Sequence, residues 1–128
     1  MLFKFRKMKK NKLSEKDIRW NKLWDMYADG SLESNYFALC DYHAGVNGEG
    51  HYCFFDNNVQ RLADYVKSLN LLLPNEFFAQ FNKAYEAYIQ NIEAEKACDL
   101  ADDYFYNNEQ VIIDILQKYA DSLADEII

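Results

Sequence analysis

The sequence predicts a compact, orthogonal all-α domain of about five to six helices, and three observations lead there. Apolar residues recur at helical spacing along most of the chain. Four glycines and one proline in 128 residues leave too few turns for an all-β domain. Hydrophobic residues make up 50%, with ten Tyr, nine Phe and two Trp, which is apolar material for one core and one domain.

Taken in order, the first helix starts at an N-cap, Ser14, with Glu15 and Asp17 in its first turn. Leu13 and Ile18 are spaced as a hydrophobic staple. Trp20, Leu23, Trp24 and Tyr27 form the apolar stripe, and Asp29-Gly30-Ser31 ends it. Helix resumes over 32–44 with Tyr36, Phe37, Leu39, Cys40 and His43. The segment 45–50 holds three of the four glycines and Asn47-Gly48, so it reads as the one conspicuous loop. Tyr52-Cys53-Phe54-Phe55 is helix or irregular structure, since a strand there would have no partner. Val59, Leu62, Tyr65, Val66 and Leu69 give another amphipathic helix, stopped near Leu73 by Pro74. A long helix from about Asn75 is expected to bury Phe78, Phe81, Tyr85, Tyr88, Ile89 and Ile92. It continues into an acidic stretch through Glu93, Glu95 and Asp99, with a break near Asp102. Asn107-Asn108 marks a further boundary before a last helix carrying Val111, Ile112, Ile115, Leu116, Tyr119 and Leu123.

Charge divides the chain. The net value is −7, yet residues 1–12 carry Lys4, Arg6, Lys7, Lys9, Lys10 and Lys12 and no acid. The remainder, read as one acidic helical domain over 13–128, holds 8 basic and 21 acidic residues, a balance of −13. Residues 84–128 hold 11 acids against Lys96 and Lys118. A field of that sign repels nucleic acid and membrane surfaces and attracts basic proteins. The arm at 1–12 reads as a short mobile terminus. No apolar run approaches the roughly 20 residues of a membrane span, and no apolar signal-peptide core follows the basic start. Three cysteines, an odd number, are therefore expected as free thiols in a reducing cytoplasm.

Catalytic and metal chemistry finds little support. Cys40-x-x-His43 and His51-x-Cys53 flank the glycine cluster, but the second pair is too closely spaced for a standard zinc pattern. Cys40 and His43 could meet at i, i+3, but no orienting acid or oxyanion donor is apparent for them in the sequence, and His51 and Cys53, at i and i+2, do not meet on a helix. No EF-hand, Walker loop or dinucleotide fingerprint is present. The chain is read as a binding protein and not an enzyme, with no cofactor. The candidate surface is acidic: Glu95, Asp99 and Asp103 fall at i, i+4 and i+8, and Asp121 with Asp125 repeats the spacing. Asp102 and Asp114 complete the set of candidate partner-binding carboxylates.

Two segments carry a resemblance. Val46-Asn47-Gly48-Glu49-Gly50-His51-Tyr52-Cys53-Phe54-Phe55-Asp56-Asn57 resembles the Asn/Gly-rich turn and Gln-Phe-Phe-x-Asn signature of the bacterial DNA-mimic protein C-terminal-domain family. Asn47, Gly50, Phe54, Phe55 and Asn57 match without a gap, whereas Gly48, Glu49, His51 and Cys53 depart from the usual residues. Asp102-Asp103-Tyr104-Phe105-Tyr106 is similar to the family's acidic Asp-Asp-x-Phe-Tyr stretch, and the order of elements agrees over about residues 14–120. The resemblance implies an acidic all-helical domain in which Phe54 and Phe55 fill the core and Gly50 permits a tight turn. In the family's characterised type it implies a homodimer whose carboxylates imitate DNA phosphates and occupy a transcription regulator's DNA-binding surface. The expectation is thus an acidic protein-binding module for a basic partner, such as a DNA-binding regulator. The alternatives are an immunity-type protein neutralising a basic nuclease toxin, or a helical domain with a purely structural role.

Overall fold

The computed structural model describes the backbone of residues 14–127 and the side chains of residues 14–123. The basic arm, Leu13 with its staple, and the Asp125 side chain lie outside the described residues. Five α-helices and no strand are found among the described residues: α1 (Glu15–Asp29), α2 (Ser34–Asn57), α3 (Leu62–Leu72), α4 (Asn75–Gln90) and α5 (Ala94–Ile127), with a 3₁₀ turn at Val59–Arg61 between α2 and α3. The chain is therefore an all-α domain. Helix α5 packs against α1, α2 and α4, while α3 lies mainly on α2.

Local chemistry sets most of the ends. The Asp17 N–H donates to the Ser14 hydroxyl at 3.1 Å, as the N-cap pattern requires. Gly30, at φ +77°, closes α1 with its N–H on the Tyr27 carbonyl and the Ser31 N–H on the Met26 carbonyl, a Schellman cap. The Glu33 carboxylate caps α2 by accepting from the Asn35 and Tyr36 N–H groups. Helix α3 stops at Leu72 ahead of Pro74, and α4 starts at Asn75.

Four expectations change. First, residues 45–50 are not a loop, because α2 runs through them and departs from helical geometry only at Gly50 (φ +84°, ψ 172°). Gly45 is instead a point of close approach, where a Cβ would lie 2.8 Å from the Phe54 ring. Second, α4 does not continue into the acidic stretch: Asn91 (φ +55°) and Glu93 (φ +48°) turn the chain before α5 begins. Third, the chain is helical at Asp102, and the boundary expected at Asn107-Asn108 is a kink inside α5 at Asn108, whose side-chain amide donates to the Tyr104 carbonyl at 2.9 Å. Fourth, Ile89 and Ile92 are exposed, not buried: Ile89 falls outside the α4 face that buries Phe77, Phe81 and Ala84, and Ile92 sits in the turn after the helix.

The core is aromatic at its centre. Tyr42 is fully buried and meets Phe54, Phe81 and Phe105 edge-on, with ring centroids 5.3–5.6 Å apart. Such contacts are worth about 0.5–1.5 kcal/mol each beyond the area they bury. Phe55, Leu69 and Leu116 are likewise inaccessible, so α2, α3 and α5 share one interior. No described helix is long and apolar enough to cross a membrane.

Two glycines of α2 should respond oppositely to the same substitution. In Gly50→Ala the positive φ becomes strained and the new Cβ meets Asp102 Oδ2 at 2.9 Å, a loss of about 1–3 kcal/mol. Gly48 is helical, and a Cβ added there would have nothing within 4 Å, so Gly48→Ala should gain about 0.5–1 kcal/mol from helix propensity. Urea denaturation midpoints of the two variants report both signs.

Candidate functional site

The break in α2 carries the best-defined polar constellation. In an unbroken helix the His51 N–H would donate to the Asn47 carbonyl. Here it donates to Asp102 Oδ1 of α5 at 2.8 Å. One turn further along α5, the Tyr106 hydroxyl reaches the carbonyls of Val46 and Asn47 at 3.0 and 3.2 Å. Helix α5 thus serves both sides of the interruption, with an acceptor at Asp102 and a donor at Tyr106. Gly50 makes this possible twice over. It adopts the left-handed φ, and its missing Cβ leaves room for the Asp102 carboxylate.

The imidazole of His51 extends this contact inward. Its Nδ1 lies 2.7 Å from Asp102 Oδ1 and its Nε2 lies 2.7 Å from the Tyr42 hydroxyl. One tautomer satisfies every polar atom: Nδ1–H donates to the carboxylate, and Nε2 accepts the Tyr42 proton. Both His51 and Tyr42 are 0% exposed. Burial, with the Asp102 charge as a smaller cause, pushes the Tyr42 hydroxyl well above its ordinary pKa. Burial alone would raise the Asp102 carboxyl, but the side-chain and backbone hydrogen bonds from His51 oppose that and hold it low. An aspartate–histidine–hydroxyl chain of this kind could relay a proton, yet its hydroxyl end is sealed inside the aromatic core. It joins α2 to α5.

A second carboxylate works in the same way. Asp41 accepts the Tyr27 hydroxyl at 2.5 Å and the Tyr65 hydroxyl at 2.7 Å, tying α1 and α3 to α2. Burial first, then the bond to Asp41, raises the Tyr65 hydroxyl to about 12.

The sequence candidates now fall into place. Cys40, His43, His51 and Cys53 do not assemble a metal site. Cys40 is buried and Cys53 exposed, and His51 is committed to Tyr42 and Asp102. Contrary to the sequence expectation, His43 does have an acid beside it, Glu109 at 2.8 Å, brought from 66 residues along the chain by the packing of α5 on α2. Among the described residues no group of three or more His, Cys, Asp or Glu side chains is placed to hold a metal ion. Within the turn motif, Phe54 and Phe55 are core residues, and the Asn57 amide donates to Glu49 across the break at 2.9 Å. Asn47 is an exposed position whose carbonyl takes the Tyr106 bond.

The acidic set divides. Asp102 does not share the exposed row, because at its phase on α5 it faces α2 and is occupied by His51. Asp121 accepts from Arg19 Nε at 2.9 Å and from Gln117 at 3.0 Å. Those hydrogen bonds, Gln117 before Arg19, lower its carboxyl. Asp114 is exposed and accepts from Gln110 at 2.9 Å. Glu95, Asp99 and Asp103 are all exposed along the first half of α5, and none has a cationic partner among the described residues. Tyr42 and Asp41 were not singled out from the sequence. The available signal was an acid and a tyrosine set inside the apolar face of a helix.

The relay should behave as a brace. Asp102→Ala strands the His51 N–H and imidazole donor and should cost about 2–4 kcal/mol in urea unfolding, whereas Asp102→Asn keeps an acceptor and should cost less. Since the folded carboxyl is low, the unfolded chain takes up its proton first as pH falls. This stability is complete above the unfolded pKa near 3.8 and disappears as pH falls through the lower folded value. Acid titration of the unfolding midpoint should lose that component in the Asn variant.

Thiol labelling offers an independent check on the three cysteines. Burial first, with nearby carboxylates adding to it, raises both Cys40 and Cys98 to about 12, so the native chain should react with iodoacetamide at Cys53 alone. All three should react once the chain is unfolded. No protein-family model matches this chain, and no curated protein or solved structure is significantly similar to it.

Proposed function

We propose that this chain is an acidic protein-binding module whose α5 carboxylates occupy a basic, nucleic-acid-binding surface of another protein. The observation that carries this reading is the exposed row Glu95, Asp99 and Asp103, which lacks internal cationic partners among the described residues. On one helix face these carboxylates succeed one another by about 6 Å. A duplex carries charge more densely, at about one phosphate per 1.7 Å of axis, so the row would replace a short length of backbone and not a whole site.

Two further features support the reading. The chain retains an excess of 13 negative charges beyond its basic arm, which steers basic partners toward it. The resemblance to the DNA-mimic protein C-terminal-domain family points the same way, with the homodimer and the transcription-regulator partner remaining parts of the proposal. Asp102 leaves the set of contact residues because it braces α2. A loss of binding on its substitution would mix folding with recognition.

The discriminating variant is therefore Glu95→Gln with Asp99→Asn and Asp103→Asn. Exposed ion pairs contribute roughly 0.2–1 kcal/mol each, so the triple change should weaken capture of a basic DNA-binding protein by about tenfold while leaving the unfolding midpoint near that of the parent. Pull-down from the native cell at low and high salt should show a partner lost at high salt. An affinity unchanged by the triple substitution would remove the acidic row from the interface.

A further inference from the structure

A groove of about 530 Å³ opens where the start of α2 meets α3, away from the acidic row on α5. Its volume falls within the roughly 300–1,000 Å³ typical of small-molecule sites. Its charge is unlike that of the chain as a whole. Arg61 and Lys67 line it with a single acid, Asp64, in a protein of net charge −7. Neither cation has a carboxylate at ion-pair distance among the described residues, and Asp41 acts on Arg61 only from behind the Tyr65 hydroxyl that bonds both. Arg61 donates one N–H to the Tyr65 hydroxyl at 3.2 Å, which leaves most of its planar fork open.

Below the cations the lining is polar and fixed. Ser68 is only 7% exposed and donates its hydroxyl to Asn35 Oδ1 at 2.8 Å. That bond orients the Asn35 amide, whose nitrogen has no protein acceptor among the described residues. The N-terminus of α2 is not the anion holder, because Glu33 already takes the N–H groups of Asn35 and Tyr36. The remaining wall is apolar, with Leu32, Phe37 and Ala38.

A cationic rim, an amide donor and an aromatic wall select a ligand of matching parts. We propose that this groove binds a small organic anion, a phosphate or carboxylate joined to a flat apolar body. Arg61 and Lys67 hold the anionic group, the guanidinium through paired N–H donors suited to an oxyanion. Phe37 and Leu32 receive the flat body, and the Asn35 amide donates to its polar edge. A nucleotide and an aromatic carboxylate share this chemistry.

The test is an NMR titration of the ¹⁵N-labelled full chain with adenosine monophosphate, phenylacetate and inorganic phosphate, read at the Asn35 side-chain amide and the Gly30 amide. At least one organic anion should give saturable shifts below about 1 mM, and in Arg61→Gln/Lys67→Gln its affinity should fall at least about tenfold. Both cations are exposed, so resonances away from the groove should stay in place in the variant. Saturation by the nucleotide alone assigns a nucleotide site; saturation by phenylacetate alone assigns an aromatic carboxylate site; saturation by both leaves the shared chemistry as the specificity. The proposal is overturned if neither organic anion saturates, if the double variant binds as tightly as the parent, or if inorganic phosphate binds equally well.

Discussion

The interruption of α2 at Gly50 is the point on which the rest of the structure depends. A helix of 24 residues would run straight past the core. Breaking it at one residue lets the segment before Gly50 contribute Tyr42 and Val46, and the segment after it contribute His51, Phe54 and Phe55, to one interior. The break frees the His51 N–H in a buried region, where an unpaired group costs about 1–3 kcal/mol, and leaves the Val46 and Asn47 carbonyls to be met at its partly exposed edge. Helix α5 meets that demand with Asp102 and Tyr106, four residues apart on one face. The glycine, the aspartate and the tyrosine are thus one device, drawn from positions about fifty residues apart.

The same logic recurs around the aromatic core. Tyrosines fill it with their rings, and their hydroxyls must then find acceptors. Tyr42 ends on His51, Tyr27 and Tyr65 share Asp41, and Tyr88 ends on Asp56. Several acids in this chain are therefore structural acceptors, and the net charge does not translate into one negative surface. Acids that face outward with no internal cation among the described residues occur on all five helices, Asp25, Asp64, Glu76 and Asp114 among them, and of these Glu95, Asp99 and Asp103 make up a set spaced i, i+4, i+8 along one helix face. The proposed binding reading rests first on that set, with overall acidity in support.

The acidic row and the cationic groove belong to different helices and would select oppositely charged partners. Their separation follows from the packing. Helix α5 buries the face carrying Cys98, Ala101 and Phe105 and turns Glu95, Asp99 and Asp103 outward. Arg61 and Lys67 sit on the 3₁₀ turn and on α3, beside the start of α2.

The sequence by itself determined the fold class, the cap at Ser14, the stops at Gly30 and Pro74, and the burial of Leu23 and Phe81. These are local matters of capping chemistry, φ preference and apolar period, which a neighbouring stretch of chain expresses unaided. The same local reading mistook residues 45–50 for a loop, because glycines placed for ring contact and for a single break resemble glycines placed for a turn. Only the tertiary structure decided that Asp102 faces inward while Asp99 and Asp103 face water, that Asp121 is engaged by Arg19, and that Cys40, His43, His51 and Cys53 stay apart. Each of those outcomes depends on which helix lies opposite, and helical spacing specifies the face a residue shares without specifying what that face meets.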